Sequence, residues 1–450
     1  MDPDSARCFA RLQAMKKRIR QPNLEDMDAR LRDASRAIGD RLDAAGFQAW
    51  LVGGCVRDLA LGIPPHDIDI ATDARPDEVR ATFERTVAVG AAFGTILVLE
   101  EGMGVEVTTF RTDGAYLDGR RPESVRFGTT LEEDAARRDF TCNALYLSPR
   151  TGELRDPENG IADLARGHLA CVGDPAERFR EDGLRILRLG RFAAAFELEV
   201  DQATLQAAKR ERGSLAGISR ERVIHELERI AGGRVPARAI EIFREVGALE
   251  SCFPGAALRP GCVARLGPEP GFVRLLATLF EDPGIGLGTA EERREARIAL
   301  LKSLRISRRA QAGCLRIWEL EEWLEGTRRD PEGCTGARAV RILRDPWFAD
   351  AFAVHRACRA SVSPAAADLA ARAASSKPED LHPEPLVTAA DLRDAGLEPG
   401  PEFGVVLREV EDLQLERRLR TRSDAIAWLR ERVASARRKP SSQDSPEGEE

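Results

Sequence analysis

The sequence predicts an α+β protein, with a mixed sheet in the first third of the chain and helices through the remainder. Three observations predict it. Short alternating apolar runs at residues 49–52, 67–70, 95–100 and 105–111 read as strands. From residue 176 onward, apolar residues recur at helical spacing, interrupted by Gly/Pro breaks such as Pro254-Gly255, residues 268–271 and Pro283-Gly284. At 450 residues with 43% apolar content, the chain is long enough for two to four domains and a substantial core.

Composition narrows the function. No run of about 18 apolar residues exists, so no membrane span is expected. The basic N-terminal stretch lacks the apolar core of a secretory signal. Nine cysteines stand singly without a CxxC, as in a cytoplasmic protein with reduced thiols, and five unclustered histidines offer no metal site. A net charge of −7 excludes a uniformly basic protein. An RNA partner still fits if arginines gather on one face, because phosphate contacts act within about 8–10 Å. The preponderance of arginine over lysine suits such contacts, though a GC-rich genome yields the same bias.

In chain order, residues 1–25 read as weakly ordered and 24–45 as an amphipathic helix. The stretch LVGGCVRDLALGIPPHDIDIATD follows at residues 51–73: strand, Gly53-Gly54, a short helix with Arg57, a Gly/Pro break, then Asp67-Ile68-Asp69-Ile70. On a strand, Asp67 and Asp69 point to one face. Carboxylates so close call for a divalent cation, Mg²⁺ above all. The glycine pair lets backbone N–H groups approach a phosphate, and Arg57 adds charge beside it. The arrangement fits a metal-bound nucleoside triphosphate. A helix at 73–84 and a hairpin through EGMG come next; its second strand carries Glu106, which on an antiparallel neighbour could complete a three-carboxylate cluster or simply be exposed.

Residues 113–124 read as a mobile loop and 131–147 as one helix entered from Thr130. In that helix Arg137, Arg138 and Asp139 offer a guanidinium beside a carboxylate, able to bridge a phosphate and a ribose hydroxyl, or else a surface ion pair; Asn143 reads as an ordinary helix residue. The segment around Arg155-Asp156-Pro157 and Asp163 reads as packing. Residues 176–196 read as a long helix on which Asp182, Arg185, Arg188 and Arg191 drift round the axis, so that Arg191 points about half a turn from Asp182. By spacing alone this is a solvated face or the lining of a groove. Residues 219–230 read as a capped amphipathic helix whose Arg220 and Arg222 either touch an RNA backbone or brace the helix bundle, the second being the expectation. A helix–turn–helix spans 386–407 through Pro399-Gly400-Pro401. Arg417, Arg418, Arg420 and Arg422 then form either an RNA-contacting patch or a solvated face, before an acidic tail at 437–450.

Five of these motifs, in this order, resemble the tRNA nucleotidyltransferase and poly(A) polymerase family: GG-x-VRD with D-x-D-x-x-T, VG-x-x-FGT, RRPESV, RRDFT-x-NA and ED-x-x-R. The resemblance implies a five-stranded nucleotidyltransferase head at 26–170, a nucleotide-selecting neck at 171–232, a helical body at 233–345 and a tRNA-binding tail at 346–436. It implies two Mg²⁺ ions on Asp67 and Asp69, with Glu106 beside them. Gly54, Arg57, Arg138 and Asp139 would hold triphosphate and sugar. Asp182 and Arg185 would read the base edge, with Arg188 and Arg191 bracing that pair or the phosphates. Asp accepts from the amino group of C or A and Arg donates to ring acceptors, whereas U and G present carbonyls. The loop at 113–124 and the PGP turn resemble members that add CCA to tRNA from CTP and ATP. An A-adding enzyme, a poly(A) polymerase and a catalytically silent RNA-binding protein are the alternatives; monomer and homodimer are both compatible with the sequence.

Overall fold

The computed structural model describes residues 19–90, 93–100, 102–114, 125–284, 286–330 and 335–438. Most of residues 1–25, the loop at 115–124 and the acidic tail from 439 lie outside the described residues. Contacts divide the chain into two units. The first runs through Leu275 and is rejoined by Leu279–Pro283 and Ala299–Ser307. The second comprises Leu276–Thr278, Gly284–Ile298 and the chain from Arg308.

The first unit is built on β1 (Trp50–Val52), β2 (Asp69–Thr72), β3 (Thr86–Gly90), β4 (Thr95–Glu100) and β5 (Met103–Thr109). A small arm pairs β6 (Arg111–Asp113) with β7 (Val125–Phe127), bracketing the loop between them. β8 (Tyr146–Leu147) and β9 (Leu154–Arg155) then extend the main sheet. Its order is β3-β4-β5-β2-β1-β8-β9, seven strands where the family resemblance implied five. Two-residue strands carry no alternation from which the sequence could announce them.

β2 and β5 run parallel, contrary to the antiparallel neighbour expected, while every other pair in this sheet is antiparallel. Helix Pro76–Thr82 carries the chain from β2 to β3 at the sheet's edge, and the two antiparallel reversals through β4 give β5 the direction of β3, parallel to β2. Buried Leu51, Ile70, Val98 and Val107 fill the sheet's core. The helix Ala29–Ala44 begins at Asp28, whose carboxylate accepts from the Arg30 amide at 3.0 Å.

Two expected helices are divided. Helix Leu131–Ala136 starts in a Thr130/Glu133 capping box and stops early. A single 3₁₀ turn, Thr141–Asn143, leads into β8. The pairing of Tyr146 with Val52 and the return of Arg137 and Arg138 onto Asp134 outweigh helix continuation. The second divided helix becomes Pro175–Glu181 and Leu184–Ala195. Asp182 is extended, and Gly183 presses against the 3₁₀ segment Arg212–Gly217: a Cβ there would lie 2.6 Å from the Ser214 carbonyl oxygen.

The second unit is helical. Residues Val387, Leu392, Val406, Val410 and Leu429 gather helices Ala389–Asp394, Pro401–Leu415 and Arg422–Arg438 around one apolar cluster. The helix–turn–helix therefore forms, with Gly396 at φ 86 closing its first helix.

Candidate active site

The carboxylates come from β2 and β5. Ile68 and Ile70 are buried while Asp67 and Asp69 are exposed, so both acids share the solvent face although the strand itself begins at Asp69. Asp69 stands in register with Glu106 across the parallel pair. Among the described residues, neither Asp67, Asp69 nor Glu106 has a side-chain ion pair or hydrogen bond. Although its surface is accessible, Asp69 is crowded. Loss of hydration, then Glu106, then Asp67 push its carboxyl up to about 6, and Arg138 offsets only part of this. Among the described residues, no three His, Cys, Asp or Glu side chains are drawn closely enough together to form a ready metal cage. Unneutralised oxygen donors of this kind suit a hard divalent cation that keeps water and substrate phosphate among its ligands.

Beside β1, Gly53 adopts φ 73 and ψ −125 and opens the helix Gly54–Ala60 with no capping side chain. A Cβ at Gly53 would stand 3.6 Å from Arg138 Nη1. Arg57 lies under this turn, buried. Nη1 donates to Asn143 Oδ1 at 2.7 Å, and Nε and Nη2 donate to Asp58 Oδ1 at 3.0 and 2.7 Å. Its guanidinium carbon lies 4.2 Å from the Phe196 ring centroid.

Arg138 donates through Nη2 to Asp134 Oδ2 at 3.0 Å and through Nε to the Tyr146 hydroxyl at 3.0 Å. Tyr146 donates in turn to Asp134 at 2.7 Å, and Arg137 adds a fork at 2.9 and 2.7 Å. Burial alone would raise the Asp134 carboxyl, but Arg138, Arg137 and Tyr146 hold it down at about 2. Asp139 is likewise buried. Its Oδ1 accepts from Asn143 Nδ2 at 3.0 Å, and its Oδ2 accepts from Arg188 Nε at 2.8 Å. Arg188 and Asn143 keep it at about 2 against desolvation.

The break between helices Pro175–Glu181 and Leu184–Ala195 places Asp182 where its Oδ1 accepts from the Leu184 amide at 3.0 Å. Arg222 donates to both Asp182 oxygens, at 3.2 and 2.7 Å. Arg185 leans on Glu181 and donates to the carbonyls of Arg178 and Arg137, each at 3.0 Å. Arg191 turns to buried Glu226, to which Nε donates at 2.6 Å. The structure thus groups Asp67, Asp69 and Glu106; binds Arg57, Asp139 and Arg188 through Asn143; and directs Arg191 elsewhere. Arg220 reaches the Cys252 carbonyl and lies over Phe253 at 4.6 Å, a bracing role as expected.

Residues 49–170 match the family model for the poly(A) polymerase head domain, and residues 197–258 match that for the probable RNA- and SrmB-binding site of polymerase A. A CCA-adding enzyme of Limosilactobacillus fermentum is 35% identical over 375 residues, spanning 83% of this chain and 90% of that protein. One from Streptococcus gordonii is 35% identical over 417 residues, spanning 91% of this chain and 99% of the relative. The chain belongs to the CCA-adding enzyme family. The crystal structure of the Bacillus stearothermophilus CCA-adding enzyme in complex with CTP superposes with a TM-score of 0.65 at 28% identity, covering 91% of this chain and 99% of that one.

The sequence-based reading of this CCA-adding family member missed Asp134, Asn143, Tyr146 and Glu226. Asp134 carried a usable signal: it precedes Arg137 and Arg138 by three and four residues, the spacing of helical ion pairs. The bonds of Asn143 to Arg57 and of Glu226 to Arg191 span long stretches of chain, for which spacing gives no sign.

Proposed function

We infer that the chain adds C, C and A to tRNA 3′ ends from CTP and ATP without a nucleic-acid template, releasing pyrophosphate. The observation that carries this is the acidic group of Asp67, Asp69 and Glu106, unpaired in a site where Asp134 and Asp139 are fully matched by arginines. Asp67 and Asp69 would hold Mg²⁺, which when bound lowers the pKa of the primer hydroxyl and stabilises charge on the leaving pyrophosphate. The primer 3′ hydroxyl gives up its proton to solvent, its oxygen bonds to the α-phosphorus, and the bond from that phosphorus to the α,β-bridging oxygen breaks to release pyrophosphate.

The Gly54 turn, with Arg57 beneath it, and Arg138 bind and align triphosphate and sugar, with Asp139 holding Arg188 in place. Asp182 accepts from the amino group of C or A, and Arg185 donates to the ring acceptors; their contacts to Arg222 and Glu181 keep both pre-oriented. The head, neck, body and tail divisions at 26–170, 171–232, 233–345 and 346–436 belong to this reading, as does a cytoplasmic location. No helix among the described residues is long and apolar enough to cross a membrane.

The test offers purified protein two tRNAs, one ending before CCA and one after CC, with each labelled nucleotide separately. Incorporation of C and A on the first and A on the second is expected. Incorporation only on the CC-ended tRNA would mean an A-adding enzyme, long A tracts on unstructured RNA a polyadenylating one, and none at all a silent binder. Asp67→Ala is expected to leave tRNA binding intact and abolish addition.

A further inference from the structure

Asn143 sits at the crossing point of the groups that bind nucleotide, and it is itself buried. Its Oδ1 accepts from Arg57 Nη1 at 2.7 Å and its Nδ2 donates to Asp139 Oδ1 at 3.0 Å. Its backbone carbonyl accepts from Arg138 Nη1 at 3.4 Å. Through Asp139 the connection continues to Arg188 on helix Leu184–Ala195, and the same helix meets Arg57 again through Phe192, 5.2 Å from its guanidinium. One neutral side chain therefore ties the glycine turn to the helix that carries the base-reading arginine.

The chemistry is specific to an amide. It must accept from a guanidinium and donate to a carboxylate at once, within a dry site. A carboxylate here would satisfy Arg57 but press negative charge against Asp139. A methyl would leave both partners with a buried unmet bond.

We propose that Asn143 is a positioning residue for nucleotide addition, holding the triphosphate end and the base-reading helix in one fixed geometry. The assignment rests on the CCA-adding reading above. Its signature is base discrimination, because a loosened tie between the two ends lets a wrong base align with the α-phosphate. The same tie predicts a kcat loss that exceeds any change in tRNA affinity.

The test compares wild type, Asn143→Ala, Asn143→Asp and a remote core control, Ile38→Ala, whose side chain is fully buried in helix Ala29–Ala44. All are assayed below their melting temperatures for CTP against UTP incorporation on tRNA lacking CCA. Both Asn143 variants are expected to lose about 10- to 100-fold in CTP kcat/KM and a similar factor in the CTP/UTP ratio. The aspartate, though close in shape, should be at least as impaired as the alanine. Ile38→Ala should keep the wild-type ratio at whatever stability it retains.

An Asn143→Asp enzyme with wild-type discrimination would show that shape alone matters and overturn the assignment. So would Asn143 variants whose ratio moves no further than that of the Ile38 control. Failure of wild type to add C would instead refute the function itself.

Discussion

Arg137, Arg138 and Arg188 in the first unit each lie against a buried carboxylate at 2.5–3.0 Å, whereas Arg417 and Arg418 in the second stand 77% and 70% exposed, with acidic neighbours at 3.6 Å. By composition the two groups look alike. The first is a scaffold in which Asp134 and Asp139 fix each guanidinium in place; the second keeps its charge free to move in solvent or to meet a polyanion. At the head of the sheet, by contrast, Asp67, Asp69 and Glu106 carry negative charge that no arginine meets in a hydrogen bond or ion pair among the described residues. Arg422 belongs with the scaffold despite its place in the tail sequence, since Nη2 donates to Asp391 at 2.6 Å beside the Thr388 cap.

The largest effect that could break this contrast is at Asp69. Asp69→Asn should lower nucleotide addition by about a thousandfold or more, since it removes one of the two carboxylates proposed to hold Mg²⁺. The same change should raise the melting temperature of metal-free protein at pH 8. A carboxyl raised to about 6 when folded favours folding at low pH, and that contribution is lost as pH rises through 6. Equal melting temperatures for the two proteins at pH 8 would mean that the acids do not crowd one another.

Next in size is the scaffold. Asp134→Ala should cost about 3–5 kcal/mol in urea unfolding, because it leaves buried guanidinium groups unpaired. Asp134 and Asp139, both held at about 2, should also make wild type acid-sensitive. Their stabilisation is complete above the ordinary carboxylate range near pH 4 and is lost as pH falls through 2, on the order of 2 kcal/mol for each. Asp134→Asn should flatten that part of the stability profile, and an unchanged profile would remove Asp134 from the account.

Gly183→Ala should destabilise by about 1–3 kcal/mol, because its Cβ meets the Ser214 backbone. It should also weaken nucleotide selection by displacing Asp182; selection unchanged at reduced stability would separate the helix break from base reading. The smallest effect is expected in the tail. Arg417→Ala combined with Arg418→Ala should change stability by no more than about 0.5 kcal/mol. Loss of both should reduce the salt dependence of tRNA binding by roughly two in slope. An unaltered slope would make the patch a solvated face.

Much of the site was legible early. The alternation around Ile68 and Ile70 put Asp67 and Asp69 on one face. Less legible were the places where distant partners overrule local preference. Residues 131–147 look helical until Tyr146 pairs with Val52, and residues 176–196 look continuous until Gly183 meets Ser214. Arg57 reads as an open phosphate ligand until Asn143, Asp58 and Phe196 enclose it.

Sequence alone determined which chemistries the chain carries: paired acids on one face, a glycine turn, and an acid followed three residues later by an arginine. These follow from periodicity and residue type, which are local properties. Tertiary structure decided the parallel register of Asp69 with Glu106, the breaks that orient Asp182 and Arg138, and the single amide joining Arg57 to Asp139. Each depends on a hydrogen bond or packing contact between residues far apart in the chain, whose free energy no local pattern contains.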